Sequence, residues 1–297
     1  MEIPVIGLAD PSAAARIGRA CQTTGFFVVA DHGVPEPVVE AAWSTARQFF
    51  DLPLSSKLAV RAEGVPYGYD PVAAEALGRT RHDGEDAPDA KQSFNLGPPN
   101  RGPGTGFGSF DRIWPTEPYE LRPAWLSYYS HMESLADALL SLFAEALGLD
   151  RAYFEPFTRE HLSALRALDY PEGSVSIRAG AHADYGTLTI LRPDPAVGGL
   201  EVWVDGRWLR IPAVGDGFVI NIGDLMHRWT NGRWKSALHR VVADPEGRRR
   251  ASIAFFHNPD WDATIEPILT DPGGRPAFPA ITAGPWLQAK FEAALAP

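Results

Sequence analysis

The sequence predicts a mainly β protein, a sandwich or barrel with helices packed outside it. Three observations carry this. Between residues 163 and 259 short apolar runs recur with turn residues between them: SALRALDYP, TLTIL, GLEVWV, RWLRIP, GFVINIG, KSALHRVVAD and RASIAFFHNP. Many short strands at even spacing read as a doubled or closed sheet. Asp205-Gly206, between two of these runs, is a two-residue hairpin turn of the kind whose backbone matches strand twist. The helical patterns, in contrast, lie almost wholly outside this stretch.

From the N-terminus, IPVIGL at 3–8 is a short strand. DPSAAARIGRACQTTG follows as a helix, with Asp10 as N-cap, Pro11 at the first helical position and Gly25 as the stop. FFVVADHGV returns to strand character. PEPVVEAAWSTARQFFDLP has apolar residues at 38, 39, 42, 43, 46, 49 and 50, the stripe of an amphipathic helix. Residues 60–115 are rich in Gly, Pro and charge, and LGRTRHDGEDAPDA within 77–90 is expected to be a mobile loop able to cover a site. A long helix is expected at about 119–147, ending near Gly148, and TAGPWLQAKFEAALA is a short amphipathic helix. The reading is one domain over 1–297: a helical and substrate-loop part over 1–160, a β core over 161–260, and a C-terminal segment and helix over 261–297.

Composition narrows the function. The net charge is -10, and the longest basic run is GRRR at 247–250, so neither nucleic acid nor an anionic membrane is the expected partner. Cys21 is the one cysteine, which rules out an intrachain disulfide and a zinc-thiolate cluster. The first residues, MEIPVIGLAD, have no secretory pattern, and no apolar stretch reaches about eighteen residues. The expectation is a cytoplasmic protein, a monomer or weak homo-oligomer, acting on a small molecule.

Chemistry enters with GAHADYGTLTIL, where His182 and Asp184 stand two apart before a buried run. Side chains two apart on a strand share a face, so both can reach one ion. His239, in WKSALHRVV, is the candidate third ligand. Two histidines and one carboxylate on one side of a metal leave the other side open, as in non-haem Fe(II) oxygenases. Zinc could also occupy such a site, where it would normally activate water. RRRASIAFF then places Arg250 and Ser252 two apart. A turn in ADPEGR near 245 would set Ser252 opposite His239 and Arg250 opposite Val241, all facing inward. An inward arginine with no acid in its own segment calls for an anion, and its fork suits a carboxylate.

These pieces resemble the isopenicillin N synthase-like family of Fe(II)- and 2-oxoglutarate-dependent oxygenases. IPVIGL, GFFVVADHGV, DAKQSFNLG, LDYP, HADYGTLTILRPD, GLEVW, VINIGDLMHRWTNGRWKSALHRVV and RASIAFFHNP match it in order over almost the whole chain. The resemblance implies a distorted double-stranded β-helix, or jelly roll, flanked by helices. It implies His182, Asp184 and His239 as iron ligands. Arg250, Ser252 and Tyr170 match the residues that hold the distal carboxylate of 2-oxoglutarate. The implied reaction uses O2 to oxidise a C–H bond by hydroxylation, desaturation or cyclisation, releasing succinate and CO2. Two departures stand out. Many plant members read Asn-Tyr-Tyr-Pro where this chain has Leu168-Asp169-Tyr170-Pro171, and Gln92 replaces the usual Glu.

Tyr67, Tyr69, Phe94, Tyr185, Phe256 and Trp286 are candidates to line a substrate pocket. His32, His227 and His257 are expected to make structural hydrogen bonds, Asn221 and Asp224 to satisfy backbone and turn, and Trp229 and Trp234 to pack. Two rival readings remain at this point. One is an oxidase of the same fold that uses no 2-oxoglutarate, with Arg250 and Ser252 holding the substrate's own carboxylate. The other is a non-catalytic small-molecule sensor.

Overall fold

The computed structural model describes residues 2–62, 66–80, 88–99, 114–173, 177–212, 215–269 and 273–295. The first part of the chain runs β1 (Val5–Gly7), α1 (Ala13–Thr23), β2 (Phe26–Ala30), α2 (Glu36–Asp51), α3 (Leu54–Leu58), β3 (Gly68–Asp70), β4 (Gln92–Leu96) and α4 (Leu121–Ala146). The core follows as β5 (Ala164–Tyr170), β6 (Ile177–His182), β7 (Leu188–Arg192), β8 (Leu200–Val204), β9 (Arg207–Arg210), β10 (Phe218–Ile222), α5 (Asp224–Trp229), β11 (His239–Val242) and β12 (Arg250–His257). A small ribbon, β13 (Thr264–Ile265) with β14 (Ile281–Thr282), leads into α6 (Ala283–Leu295).

An eight-stranded sheet has the order β1-β2-β10-β7-β12-β5-β4-β3, and a four-stranded sheet the order β6-β11-β8-β9. From β5 to β12 the chain changes sheet at every connection except the β8–β9 hairpin. That alternation is the double-stranded β-helix expected from the resemblance. One apolar cluster joins Phe26, Val28, Val219 and Ala254 of the large sheet to Ala179, Leu200, Val202 and Val241 of the small one, so the sheets face each other. Strand alternation sends Phe27, Leu165, Ile190 and Phe255 to the other side, into a cluster with Ile17 of α1, Phe49 of α2 and Trp125, Met132 and Phe143 of α4. The helices therefore cover the back of the large sheet and leave the space between the sheets for a site.

Local chemistry accounts for most element ends. Asp205 (φ 48°) and Gly206 (φ 83°) both take the left-handed conformation that a type I′ turn demands, with Val204 paired to Arg207. Gly25 (φ 71°) ends α1, its N–H donating to Ala20 O at 2.9 Å, and Gly148 (φ 76°) follows α4. Asp10 is not the N-cap, which falls two residues later at Ser12. The helix starts at Ala13, and the Asp10 carboxylate accepts from Ser12 N at 2.8 Å in the preceding turn, which also holds Pro11.

Four further expectations need correction. The 60–115 stretch supplies β3 and β4, which extend the large sheet past β5. Ile177–His182 is a strand that the pattern did not mark, because Gly180 and the two alanines around it carry no β signal. His182 ends this strand and Asp184 lies beyond it, so the two do not share a strand face. β11 and β12 form no hairpin: His239 pairs with His182 and Val202, whereas Arg250 pairs with Tyr170 and Ser252 with Leu168. Both inward orientations hold, but because they lie on opposed sheets. Residues 81–87 of the expected cover loop lie outside the described residues. Among the described residues no helix is long and apolar enough to cross a membrane.

Candidate active site

His182 and His239 face each other across the β6–β11 ladder, with ring centroids 4.3 Å apart. Asp184 reaches the same point from the loop between β6 and β7. That loop is held by the start of α5: Asp184 O accepts from Asp224 N at 2.7 Å, and Tyr185 O and Gly186 O accept from Leu225 N at 3.0 and 3.1 Å. The approach requires glycine, since a Cβ on Gly223 would stand 2.3 Å from Gly186 O. The NIGD segment is thus the clamp for the HADYG loop, a coupling that spacing alone does not reveal.

The donor atoms are oriented before any ion arrives. His182 Nδ1 lies 2.7 Å from Gly180 O and His239 Nδ1 3.2 Å from Ala237 O, which calls for N–H on Nδ1 and leaves a lone pair on each Nε2. Asp184 Oδ2 accepts from Thr189 Oγ1 at 2.5 Å and from Asn221 Nδ2 at 2.6 Å. Its Oδ1 is left facing Nε2 of His182 at 4.0 Å and of His239 at 3.7 Å. One donor atom from each of the three lies within 4.8 Å of the others. Burial and the neighbouring His239 bring His182 down to about 4, so its ring is neutral at pH 7. Burial works to raise the Asp184 carboxyl, but the two imidazoles and the two hydrogen bonds outweigh it and hold it below the usual range. Two imidazoles and one carboxylate, each with a free donor atom turned to the same point, make a donor set that fits a divalent cation. Asn221, expected only to satisfy backbone, instead fixes the carboxylate; the signal was a lone amide in the buried run FVINI.

Arg250, Ser252, Ala254 and Phe256 of β12 share one face with Leu168 and Tyr170 of β5, and all line the space between the sheets. The Arg250 guanidinium is buried, donates to Gly198 O at 3.1 Å and Ser252 Oγ at 3.3 Å, and has the Tyr170 ring centroid 5.0 Å away. No carboxylate among the described residues forms an ion pair with it, and burial lowers its pKa from the ordinary value. This is an arginine prepared for an anion that the protein does not itself supply.

The cavity is about 210 Å³ and mostly apolar. Tyr67, Tyr185 and Phe256 line it; Tyr69, Phe94 and Trp286 do not. On β4 alternation turns Asn95 inward and Phe94 outward, where it meets Phe49 at 4.7 Å and Trp125 at 5.4 Å between ring centroids. Tyr69 meets Phe49 edge to face at 6.0 Å between ring centroids and donates its hydroxyl to Gln92 Oε1. Trp286 turns to Arg228 and Lys290, while Leu287 and Phe291 of the same helix face inward. Glu75, Asn95 and Arg166 also line the cavity and were not anticipated. His32, His227 and His257 make the structural bonds expected of them, to Asp216 O, Trp234 O and Thr187 Oγ1. Trp229 and Trp234 pack in the core, Trp229 against Phe154 and Phe157 and Trp234 against Phe143.

Two imidazoles and a carboxylate at the mouth of such a jelly roll define the class as non-haem iron oxygenases. Residues 159–259 match the 2OG-Fe(II) oxygenase superfamily, and residues 3–117 match the N-terminal region of a non-haem dioxygenase in morphine synthesis. The chain is 34% identical to the validamycin A dioxygenase of Streptomyces hygroscopicus subsp. limoneus, over 92% of this chain and 79% of that one. It is 35% identical to the 2-oxoglutarate-dependent dioxygenase traH of Penicillium crustosum, over 84% and 78% of the two chains. The crystal structure of a full-length Neurospora crassa protein in complex with alpha-KG superposes with a TM-score of 0.85 at 26% identity, covering 98% of this chain and 96% of that one. The chain belongs to the 2OG-Fe(II) oxygenase superfamily. It is a 2-oxoglutarate-dependent non-haem dioxygenase acting on a small molecule, with Fe(II), 2-oxoglutarate and O2 as its cofactor and cosubstrates. Both rival readings, oxidase without 2-oxoglutarate and sensor, fall with this.

Proposed function

We propose that His182, Asp184 and His239 hold the iron, that Arg250, Ser252 and Tyr170 hold the distal carboxylate of 2-oxoglutarate, and that the enzyme oxidises an unactivated C–H bond of a small organic molecule. The observation that carries this is the buried Arg250 without a carboxylate partner, on the wall of the cavity that the three metal-binding side chains also face. When bound, iron with 2-oxoglutarate and O2 supplies the oxidising power, and succinate and CO2 are the coproducts. The protein's own part is orientation and exclusion. Gly180 O and Ala237 O fix the imidazoles, Thr189 and Asn221 fix the carboxylate, and Ser252 steadies the guanidinium. Apolar walls from Leu168, Leu191, Leu200 and Val241 keep competing water away from the charged groups. Hydroxylation, desaturation and cyclisation all begin with the same hydrogen abstraction. We read the chain as one catalytic domain, since α1, α2 and α4 share a single apolar cluster with the large sheet. A net charge of -10 favours a monomer or weak homo-oligomer, and a free buried Cys21 suits a reducing compartment such as the cytoplasm.

Removing one partner of a buried ion pair costs about 3–5 kcal/mol, or two to four decades in affinity. Arg250→Gln should therefore raise the 2-oxoglutarate concentration needed for turnover at least a hundredfold and leave metal binding intact. Pyruvate, which lacks the distal carboxylate, should serve mutant and wild type about equally badly. Unchanged 2-oxoglutarate dependence in Arg250→Gln would overturn the assignment of the anchor.

A further inference from the structure

The cavity has a second polar end. The alternation that turns Tyr170 inward on β5 also turns Leu168, Arg166 and Ala164 inward. Arg166 stands four residues from Tyr170, about 13 Å along a strand rising ~3.3 Å per residue. The two arginines therefore serve different ends of the cavity, and their surroundings differ in kind. Arg250 has no ion-pair partner among the described residues. Arg166 Nη2 lies 2.6 Å from Glu75 Oε2 and 3.6 Å from Asp70 Oδ2. Glu75 is shared with Lys91 at 3.1 Å, and Lys91 pairs with Asp89 at 2.6 Å.

The charges of this cluster leave nothing over for an anion. Arg166 and Lys91 are set against Glu75, Asp70 and Asp89. Burial raises the Asp70 carboxyl, yet with Asp70 protonated the sum is still zero. Glu75 stays ionised: burial opposes this, but Arg166 and Lys91 hold its carboxyl at about 2.

Hydrogen-bonding capacity is left over. Arg166 Nη2 donates to Ser93 Oγ at 2.8 Å and is ion-paired with Glu75, whereas Arg166 Nε and Glu75 Oε2 have no hydrogen-bond partner among the described residues. Asn95 lies directly across the β4–β5 ladder from Arg166. Asn95 Nδ2 donates to Asp70 Oδ2 at 2.8 Å, which settles the orientation of the amide, and Asn95 Oδ1 has no partner among the described residues. Arg166 and Asn95, ladder partners that both line the cavity, thus each keep one buried polar atom without a hydrogen-bond partner among the described residues. Such groups are costly to leave unpaired, and a ligand that supplies their complements is favoured over one that does not. The walls around them, with Tyr67, Leu77, Phe256, Leu287 and Phe291, are apolar.

Resting on the reading of this cavity as the substrate site, we propose that its far end, formed by Arg166, Asn95 and Glu75, recognises a neutral group that both donates and accepts a hydrogen bond. The substrate class is then a small, largely apolar molecule carrying an amide, lactam or imide. A carboxylate there would meet Asn95 Oδ1 and the ionised Glu75 with no spare positive charge. An ammonium would meet the Arg166 guanidinium.

The test is equilibrium binding to the anaerobic Fe(II)-loaded protein, with and without 2-oxoglutarate, of two matched sets: phenylacetamide against phenylacetate, and 2-piperidone against piperidinium. In the wild type each neutral member should bind at least tenfold more tightly than its charged counterpart. Glu75→Gln removes the repelling carboxylate and should bring phenylacetate to within threefold of phenylacetamide; Asn95→Leu should weaken phenylacetamide at least tenfold. Phenylacetate binding as well as phenylacetamide in the wild type would overturn the proposal, making Arg166 a carboxylate anchor. So would failure of all four probes in protein that binds 2-oxoglutarate. If 2-oxoglutarate itself does not bind, the cosubstrate assignment fails, while the order of the probes still judges this one.

Discussion

Asn221 is the residue whose role is most sharply testable, because its amide is committed to the Asp184 carboxylate. Its amide donates at 2.6 Å to the Asp184 oxygen that faces away from the histidines. Thr189 makes the companion bond at 2.5 Å. Asn221→Ala removes one of two charge-assisted bonds, each worth about 1.5–3 kcal/mol in a buried setting. Thr189 still restrains the carboxylate, so part of the orientation survives. The expected loss in metal affinity is 10- to 100-fold, about 1.4–2.7 kcal/mol, the range typical of groups that support a ligand. Asn221 is buried between Ile220 and Ile222 on β10, so Asn221→Leu controls for shape by keeping volume while removing the donor. Both variants should fold, and both should lose affinity in anaerobic titration of metal-free protein with Fe(II) or Co(II). Metal affinity within twofold of wild type in both variants would refute the argument that Asn221 orients the ligand.

Three other consequences follow from the same contacts. Gly223→Ala should destabilise the protein by at least ~2 kcal/mol in urea unfolding and weaken metal binding, because its Cβ would press on the backbone oxygen of Gly186, which cannot move aside. Phe94→Ala should cost about 3–5 kcal/mol of stability and leave the KM for substrate within a few-fold, since Phe94 packs behind the sheet and not in the cavity. Metal-free protein should lose stability as pH falls from about 6.5 towards 5. Burial keeps His182, at about 4, and His257, well below its ordinary value, neutral in the fold, while the unfolded chain takes up protons at both. The slope is at most about 1.4 kcal/mol per pH unit for each histidine, and a flat urea midpoint between pH 6.5 and 5 would contradict it.

The sheet order could not be read from the chain, but the inward face of β12 could. Alternation in RASIAFF is strict, so Arg250 and Ser252 share a face whichever strand lies alongside. The inference that they point at His239 survived a wrong partner assignment for that reason. The hairpin at Asp205-Gly206 and the stripe of α2 were legible because each is set by local backbone or helical period. β6 was not, because RAGAH derives its strand character from pairing with β11 and not from its own side chains. The second polar end of the cavity was hidden for a related cause. Glu75, Asn95 and Arg166 belong to three separated segments: the β4–β5 register sets Asn95 opposite Arg166, and Glu75 reaches Arg166 from the segment after β3.

The two departures from the family pattern illustrate how that register also gives single residues their meaning. Gln92 pairs directly with Asp169 across β4 and β5, and its Nε2 donates to Asp169 Oδ2 at 2.9 Å. Asp169 also accepts from Arg249 Nε at 2.6 Å, and Gln92 Oε1 accepts from Lys57 Nζ at 2.9 Å and Tyr69 Oη at 2.7 Å. A Glu at 92 would set a second buried carboxylate against Asp169 and remove the amide donor that now joins the two side chains. The amide avoids this by donating to one side and accepting from the other. Gln92 and Asp169 therefore complement each other, on the face of the sheet turned away from the cavity. Leu168, next in the chain, takes the inward face, where the asparagine of many plant members would stand. On the proposed cosubstrate site, Arg250, Ser252 and Tyr170 would hold 2-oxoglutarate without that amide, which makes Arg250→Gln the sharpest test of the anchor.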